Sequence, residues 1–128
     1  MNKVLLVGRL TKEVVVMSST SNKEYSFNTI AVKRDYKNKD GKYDSDYINL
    51  TFAEPTTTFL KNYVAKGDLI EIDGKWRNKK DKDNHNVDYV QVESISILVK
   101  AQTSVEEDKE EKQVPSSELP FWLWIGID

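Results

Sequence analysis

The sequence predicts an all-β fold, a barrel of five short strands with one short helix between the third and fourth strands. Five segments have strand-like patterns, one segment has helical spacing, and polar loops rich in Asn, Asp and Gly separate them. A chain of 128 residues that is 38% hydrophobic is long enough to bury one modest core. The predicted strands cover residues 4–10, 24–32, 47–52, 69–79 and 87–99.

Side-chain alternation predicts which face of each strand is buried. In 47–52, Ile48, Leu50 and Phe52 share one parity and are expected in the core, so Tyr47 and Asn49 project outward. In 69–79, Trp76 shares the parity of Ile70 and Ile72, which predicts a buried Trp76 although two cationic residues flank it. In 87–99 the apolar parity changes after Val92, which predicts a bulge near Ser94.

The segment PTTTFLKNYVAKGD predicts the single helix. Phe59, Leu60, Tyr63 and Val64 recur at helical spacing, Thr56 or Thr57 is a candidate N-cap, and Gly67 is a candidate for the left-handed residue that ends the helix. The order β-β-β-α-β-β is that of an OB-fold, a five-stranded Greek-key barrel whose face and loops bind oligonucleotides. A five-stranded sandwich without a ligand groove fits the same pattern.

The composition argues against catalysis. There is no cysteine, and His85 is the only histidine, so neither a Cys-His nor a Ser-His nucleophilic pair has support. The cluster Asp81, Asp83, His85 and Asp88 lacks the Gly and Glu of a calcium loop and is interpreted as a solvated turn. We therefore expect no enzyme activity, no cofactor and no metal.

The sequence contains no candidate signal peptide and no apolar stretch of the ~20 residues that a membrane span requires. A soluble, cytoplasmic protein without a membrane partner is therefore expected.

Charge divides the chain into two parts. Residues 1–102 carry 17 Lys and Arg against 14 Asp and Glu, a net charge of +3, whereas residues 103–128 carry 2 against 7, a net charge of −5. This asymmetry predicts a folded domain over 1–102 and a disordered acidic tail over 103–128, because the stretch 103–118 has too few apolar side chains to offset its ordering entropy.

The predicted outward residues favour binding of a single nucleic-acid strand. Tyr47 and Asn49 project outward on one strand, and Lys75, Arg77 and Lys79 on another, so a ring for base stacking lies near cations that track phosphates. The loop 36–46 adds Tyr36, Tyr43 and three lysines. Outward tyrosines also cover barrel edges or subunit interfaces, and that interpretation is preferred for Tyr25 and Tyr63.

Several segments resemble the bacterial and phage single-stranded DNA-binding proteins. They are NKVLLVGRLTKE, SFNTIAVKR, DYINLTF, FLKNYVAKGDLIEIDGKWR and the LPF near the end. The resemblance implies an OB-fold over roughly residues 1–100, a homotetramer, and nucleoid-associated binding of single strands without sequence preference. It also implies recruitment of replication, recombination and repair proteins by the C-terminal tip.

The resemblance assigns roles to particular positions. The loop aromatic of the family falls on Tyr36, its strand aromatic on Tyr47, and its basic strand residues on Arg77 and Lys79. Two further stacking aromatics fall on Ala53 and near Asp81, so two platforms are missing. The complete set of predicted DNA-binding residues is Arg9, Arg34, Tyr36, Tyr47, Asn49, Lys75, Arg77 and Lys79.

The tail departs from the family pattern, because WLWIGID follows the Pro-Phe tip. The predicted partner-binding residues are Leu119, Pro120, Phe121 and Trp122. The extension either leaves LPF accessible or forms a longer apolar docking segment. Two alternative functions stay open at this stage: an OB-fold RNA-binding module and a protein-interaction adaptor that has lost its affinity for DNA.

Overall fold

The computed structural model describes residues 1–102. The tail 103–128, with the predicted partner-binding residues Leu119, Pro120, Phe121 and Trp122, lies outside the described residues. The elements in chain order are β1 (Val4–Leu10), β2 (Val16–Ser18), β3 (Glu24–Lys37), β4 (Tyr43–Ala53), α1 (Thr56–Tyr63), β5 (Leu69–Lys80) and β6 (Asn86–Val99). No helix in this part of the chain is long and apolar enough to cross a membrane.

Five strands close into a barrel in the order β1-β5-β6-β4-β3, and β3 pairs again with β1. The closing contacts are short: β1 meets β3 only at Arg9–Ala31 and Leu10–Ile30, and β4 meets β6 in parallel only at Leu50–Val90 and Thr51–Gln91. The predicted OB-fold is confirmed. The three-residue strand β2 was not predicted; it pairs with the outer edge of β3 and lies outside the ring.

The barrel interior contains most of the side chains that alternation assigned to it, with Ile48 only partly buried against the core. Leu50, Ile70, Ile72 and Val90 are fully buried, and Phe52 is nearly so. The predicted bulge is present on β6, since Asp73 pairs with Ser94 while the next residue, Gly74, pairs with Val92.

The helix α1 covers the barrel with Leu60, and Val64 just after it is also buried. The cap predictions were wrong. Thr56 Oγ1 donates to the Ala53 carbonyl oxygen at 2.6 Å, and no side chain caps the helix start. Gly67 does have a left-handed φ of 89°, but it lies three residues beyond Val64, where its N–H donates to the Leu10 carbonyl oxygen.

The β3–β4 and β5–β6 hairpins extend beyond the barrel as two-stranded arms. Tyr36 and Tyr43, predicted in a loop, lie on β3 and β4, and the turn between them contains residues 38–42. Asn38 Oδ1 organises this turn by accepting hydrogen bonds from the backbone N–H groups of Asp40 and Lys42. Gly41 has a φ of 76° there, a left-handed conformation that suits glycine.

A buried carboxylate, Asp68, fixes the end of the domain. Its oxygens accept hydrogen bonds from the N–H of Ala65 at 2.9 Å, the N–H of Ala101 at 2.7 Å and Nζ of Lys100 at 2.6 Å. Lys100 Nζ also donates to the Tyr63 carbonyl oxygen. Burial acts to raise the pKa of Asp68, but these hydrogen bonds outweigh it and hold the pKa below the ordinary 3.8.

We predict that Asp68→Asn lowers the free energy of unfolding at pH 7 by about 1–3 kcal/mol, because Lys100 loses its charged acceptor. The pKa is lower in the folded state, so the carboxylate stabilises the fold above its unfolded pKa, and this contribution is lost as pH falls through the folded value. Urea unfolding at pH 7 and at pH 3 measures both effects.

The matched control is Asp46→Asn, which removes an exposed carboxylate paired with Arg34 and should change stability little. Equal destabilisation by the two substitutions at pH 7 would contradict the role assigned to Asp68.

Candidate nucleic-acid interface

Strand registers bring one row of side chains together on the outside of the barrel. β4 pairs Thr51 with Gln91 of β6, and β6 pairs Gln91 with Lys75 of β5, so these three residues lie side by side across three strands. The adjacent core-parity residues Leu50 and Val90 are fully buried, so this row faces outward.

A second row lies beside the first. β6 pairs Tyr89 with Arg77, and Asn49 is the next outward residue of β4. Asn49 Nδ2 donates to the Asp88 carbonyl oxygen at 3.4 Å, which links β4 to β6 beyond their last paired residues. Asn49, Tyr89 and Arg77 therefore form a second row in which a ring lies next to a guanidinium. We call the two rows together the outer face.

Tyr47 continues the outer face along β4. Its side chain is 70% exposed, as alternation predicted. Tyr47 pairs with Ala31, and Ala31 pairs with Arg9, which puts Arg9 two strands away in the same row, roughly 10 Å at ordinary strand spacing. Arg9 Nη1 donates to the Gly67 carbonyl oxygen at 2.8 Å, an uncharged acceptor that leaves its positive charge in place.

The cations of β5 occupy the arm. Arg77 Nη1 donates to Gln91 Oε1 at 3.2 Å, so a neutral amide holds the guanidinium on the outer face without cancelling its charge. Lys75 Nζ lies 3.9 Å from Glu93 Oε2, an exposed and weak ion pair. Lys79 shares their parity one step further along the arm.

The charge on this side of β5 changes sign along the strand. Glu71 and Asp73 share the parity of Lys75 but pair with β1 residues, and Lys3 Nζ lies 2.6 Å from Asp73. The half of β5 beside β1 is therefore acidic and the arm half is basic. Phosphates are attracted to the arm more strongly than to the other half, where Lys3 offsets one of the two acids.

Two predicted site residues are placed differently from the rest. Arg34 donates from Nε and Nη2 to Asp46 Oδ1 at 3.1 and 2.8 Å, and this bonding raises the pKa of Arg34 and lowers that of Asp46. Asp46 has the parity opposite to Tyr47, so Arg34 is not brought onto the outer face. Tyr36 is 67% exposed near the end of β3, beyond a register shift that follows Lys33.

Tyr43 adds a cationic cluster to the β3–β4 arm. Lys33 Nζ lies 4.1 Å from the centroid of its ring and Lys37 Nζ lies 5.9 Å from it. Tyr43 has the same parity as Tyr47, so alternation gives it the same side of the arm. Both cations lie within the range of a cation–π contact.

The prediction of a buried Trp76 was wrong, since its side chain is 45% exposed. It does share the inward parity, because it pairs with the fully buried Val90. However, β1 begins at Val4, which pairs with Gly74, so Trp76 is the first inward position of β5 without a β1 residue beside it. Alternation predicts the side of a strand to which a residue points. It does not predict whether a neighbouring strand covers that residue and buries it.

Sequence reasoning left out of the predicted site Tyr89 and Gln91, which belong to the outer face, and Tyr25, which lies next to it on β3. Tyr89 and Gln91 alternate with the buried Val90 and Val92, and this alternation was the available signal. Tyr25 was set aside as an edge residue, yet it pairs with Ala53, where the resemblance implies a missing aromatic. Its ring lies 5.7 Å from that of Phe27, edge to face.

The turn between β5 and β6 is organised by Asp81. Asp81 Oδ1 accepts hydrogen bonds from the N–H groups of Asp83 at 2.9 Å and His85 at 2.8 Å. The side chain of Asp81 is buried, so the expectation of a solvated turn was wrong for this residue, whereas that of His85 is 76% exposed. One ligand atom from each of the three residues lies within 4.8 Å of the others. Because Asp81 Oδ1 already accepts two backbone hydrogen bonds of the turn, we assign this cluster a structural role.

The sequence matches known single-stranded DNA-binding proteins. A model of the single-strand binding protein family matches residues 1–106. Single-stranded DNA-binding protein 1 of Streptococcus pyogenes serotype M18 (strain MGAS8232) is 36% identical over 128 residues, which cover 94% of this chain and 98% of that protein. Single-stranded DNA-binding protein B of Bacillus subtilis (strain 168) is 29% identical over 99 residues, 77% of this chain and 88% of that protein.

Among solved structures, the mitochondrial single-stranded DNA binding protein Rim1 from S. cerevisiae (form 1) superposes with a TM-score of 0.61 at 23% identity. The match covers 77% of this chain and 97% of that one. At this identity the likeness shows a shared fold.

We predict that Tyr47→Ala weakens binding of single-stranded DNA by about 1–3 kcal/mol, because a base loses its stacking partner, while the fold stays intact. Fluorescence anisotropy with a labelled thymidine oligonucleotide measures the affinity, and circular dichroism checks the fold. Tyr63→Ala is the matched control, since Tyr63 is 60% exposed but lies on α1, away from the outer face. Equal affinities for the two variants would contradict the assignment of Tyr47.

Proposed function

Because the chain belongs to the single-strand binding protein family, we propose that it binds and protects single-stranded DNA in replication, recombination and repair. The observation that carries this proposal is the outer face, where Tyr47, Asn49 and Tyr89 adjoin the cations of the β5 arm. Rings accept stacked bases of any identity, and cations follow the phosphates. Such a surface binds single strands without sequence preference.

Binding without catalysis completes the proposed function. His85 lies in a turn in which the Asp81 carboxylate accepts backbone hydrogen bonds. The outer face is built from cations, amides and rings, and not from a nucleophile–base pair. Tyr47, Asn49, Lys75, Arg77 and Lys79 are the proposed central contacts, with Arg9 and Tyr36 at the periphery. Arg34 contributes less, because Asp46 offsets its charge.

Assembly into a homotetramer is part of the proposal. β3 pairs with β1 only at Arg9 and Leu10, although β1 begins at Val4. Leu5 and Val7 on the outward side of β1 are 67% and 47% exposed. Exposed apolar side chains on a short strand favour contact with another copy of the chain.

Recruitment of other proteins is assigned to the tail. Asp68 fixes Ala101 to the domain, and the neighbouring Lys100 binds the Tyr63 carbonyl oxygen at the end of α1, so the last described residues have a defined position. The acids of the tail favour basic partner surfaces, and Leu119, Pro120, Phe121 and Trp122 supply the apolar contacts. DNA as the ligand implies a cytoplasmic, nucleoid-associated location.

The direct test of the function is titration of the full chain with a thymidine oligonucleotide, with a uridine oligonucleotide of equal length as competitor. We expect binding that the uridine strand displaces poorly. Equal competition would favour an RNA-binding module. Failure to bind either strand at low salt would favour the protein-interaction adaptor.

We predict that affinity for single-stranded DNA falls steeply with salt, because each phosphate contact contributes ~0.7 to the slope of log K against log salt. Arg77→Gln should reduce this slope by ~0.7, since the guanidinium retains its charge on the outer face. Lys61→Gln is the control: Lys61 lies on α1, paired with Glu24 at 3.0 Å, and its loss should leave the slope unchanged. A flat salt dependence of the parent protein would rule out an electrostatic interface.

We predict that deletion of residues 103–128 leaves the affinity for single-stranded DNA unchanged or slightly raised, because seven acids are removed, and abolishes capture of replication and repair proteins. A stop after Phe121 should retain capture if LPF is the docking element and lose it if WLWI is. Pull-down with the immobilised variants measures this. Capture of those proteins by the tail-less chain would contradict the assigned role of the tail.

A further inference from the structure

Trp76 is a large ring left half uncovered at the start of the β5–β6 arm. A fully outward tyrosine is ordinary at a barrel surface, but a tryptophan of inward parity that remains 45% exposed is not, because large rings are normally well buried. Its cross-strand partner Val90 is fully buried, so Trp76 lies on β5 at the margin of the core while nearly half of its surface faces solvent.

The backbone at Trp76 is held in place although β1 does not reach it. Asn2 Nδ2 donates to the Trp76 carbonyl oxygen at 2.7 Å, and the Trp76 N–H donates to Asn2 Oδ1 at 2.8 Å. This paired side-chain amide replaces the missing strand. The ring therefore projects from a fixed backbone, which favours binding because little ordering remains to be done.

Charge around the ring separates bases from phosphates. Lys75 and Arg77 flank Trp76 in sequence and point to the opposite side of β5. On the side of Trp76, the next cross-strand pair is Asn78 with Asp88, an amide and an acid. The acid disfavours a phosphate beside the ring, whereas amide and carboxylate groups are compatible with the polar edge of a base.

We infer that Trp76 is a base-stacking platform in addition to the tyrosines of the outer face, and that a single DNA strand passes around the arm edge of β5. Its phosphates follow Lys75 and Arg77 on the outer face, and one base turns inward onto the indole. The inference rests on the proposed function, and it makes both sides of the β5 arm part of the binding surface.

The test uses the full chain with Trp122→Phe and Trp124→Phe, which leaves Trp76 as its single tryptophan. Titration with a thymidine oligonucleotide should quench the indole fluorescence at the stoichiometry of binding, because a base stacks on the ring. An abasic oligonucleotide of equal length offers phosphates without bases and should bind more weakly and quench little. Equal quenching by the two strands would overturn the inference, as would binding of the thymidine strand without quenching.

Affinity provides the second measurement. Trp76→Leu keeps an apolar side chain over Val90 and removes the stacking ring, so affinity for the thymidine strand should fall by about 5- to 150-fold, the equivalent of ~1–3 kcal/mol. Trp76→Phe, which keeps a smaller ring, should recover part of the loss, and it serves alone if the leucine variant does not fold. Parental affinity in both folded variants would overturn the inference.

A stacking role for Trp76 is distinguishable from a role in assembly and from failure of the proposed function. A shift of Trp76 emission with protein concentration in the absence of DNA would place the ring between copies of the chain and overturn the inference. If the parent chain binds no single-stranded DNA by anisotropy, the proposed function itself fails. If the parent chain binds DNA normally but the fluorescence of Trp76 does not change on binding, only the stacking role is rejected.

Discussion

Closure of the barrel at two short pairings is the constraint on which the rest of the structure depends. On one side β1 meets β3 at Arg9–Ala31 and Leu10–Ile30. Gly8, beside this contact, has no space for a side chain, because a Cβ there would lie 2.3 Å from the Ala31 carbonyl oxygen. On the other side, β4 meets β6 at only two paired positions. That second contact brings the aromatic strand β4 within reach of the cationic strand β5, with β6 between them.

Strand length then determines where ligands have access. β1 has seven residues, whereas β5 has twelve and β6 fourteen, so the β5–β6 hairpin extends past the barrel and has two exposed sides. Basic residues are concentrated on the extended half, and the acids Glu71 and Asp73 lie on the half paired with β1. The same geometry exposes Trp76. The fold thus separates the half of the strand that pairs with β1 from the half that we propose to bind DNA.

Alternation in the sequence predicted the five barrel strands, the bulge near Ser94 and the exposure of Tyr47, because these follow from local periodicity and a regular pleat; it left a five-stranded sandwich open as an alternative to the barrel. It was insufficient for Trp76, whose exposure depends on where a distant strand begins. The buried acids Asp68 and Asp81 were also beyond prediction, since their hydrogen-bond donors come from loop backbone and, for Asp68, from residues 32 and 33 positions away. Contacts that depend on where a strand begins or on the backbone of a turn are not encoded in the alternation of apolar residues.

The proposed binding surface is tested most directly by mapping backbone amide shifts by NMR during titration of the full chain with a short thymidine oligonucleotide. We expect the largest changes at Tyr47, Asn49, Arg77 and Tyr89, which come from three strands, and small changes on α1. Such a pattern would place the DNA strand across β4, β6 and β5. Shifts concentrated on α1, or on the acidic half of β5 beside β1, would contradict this placement.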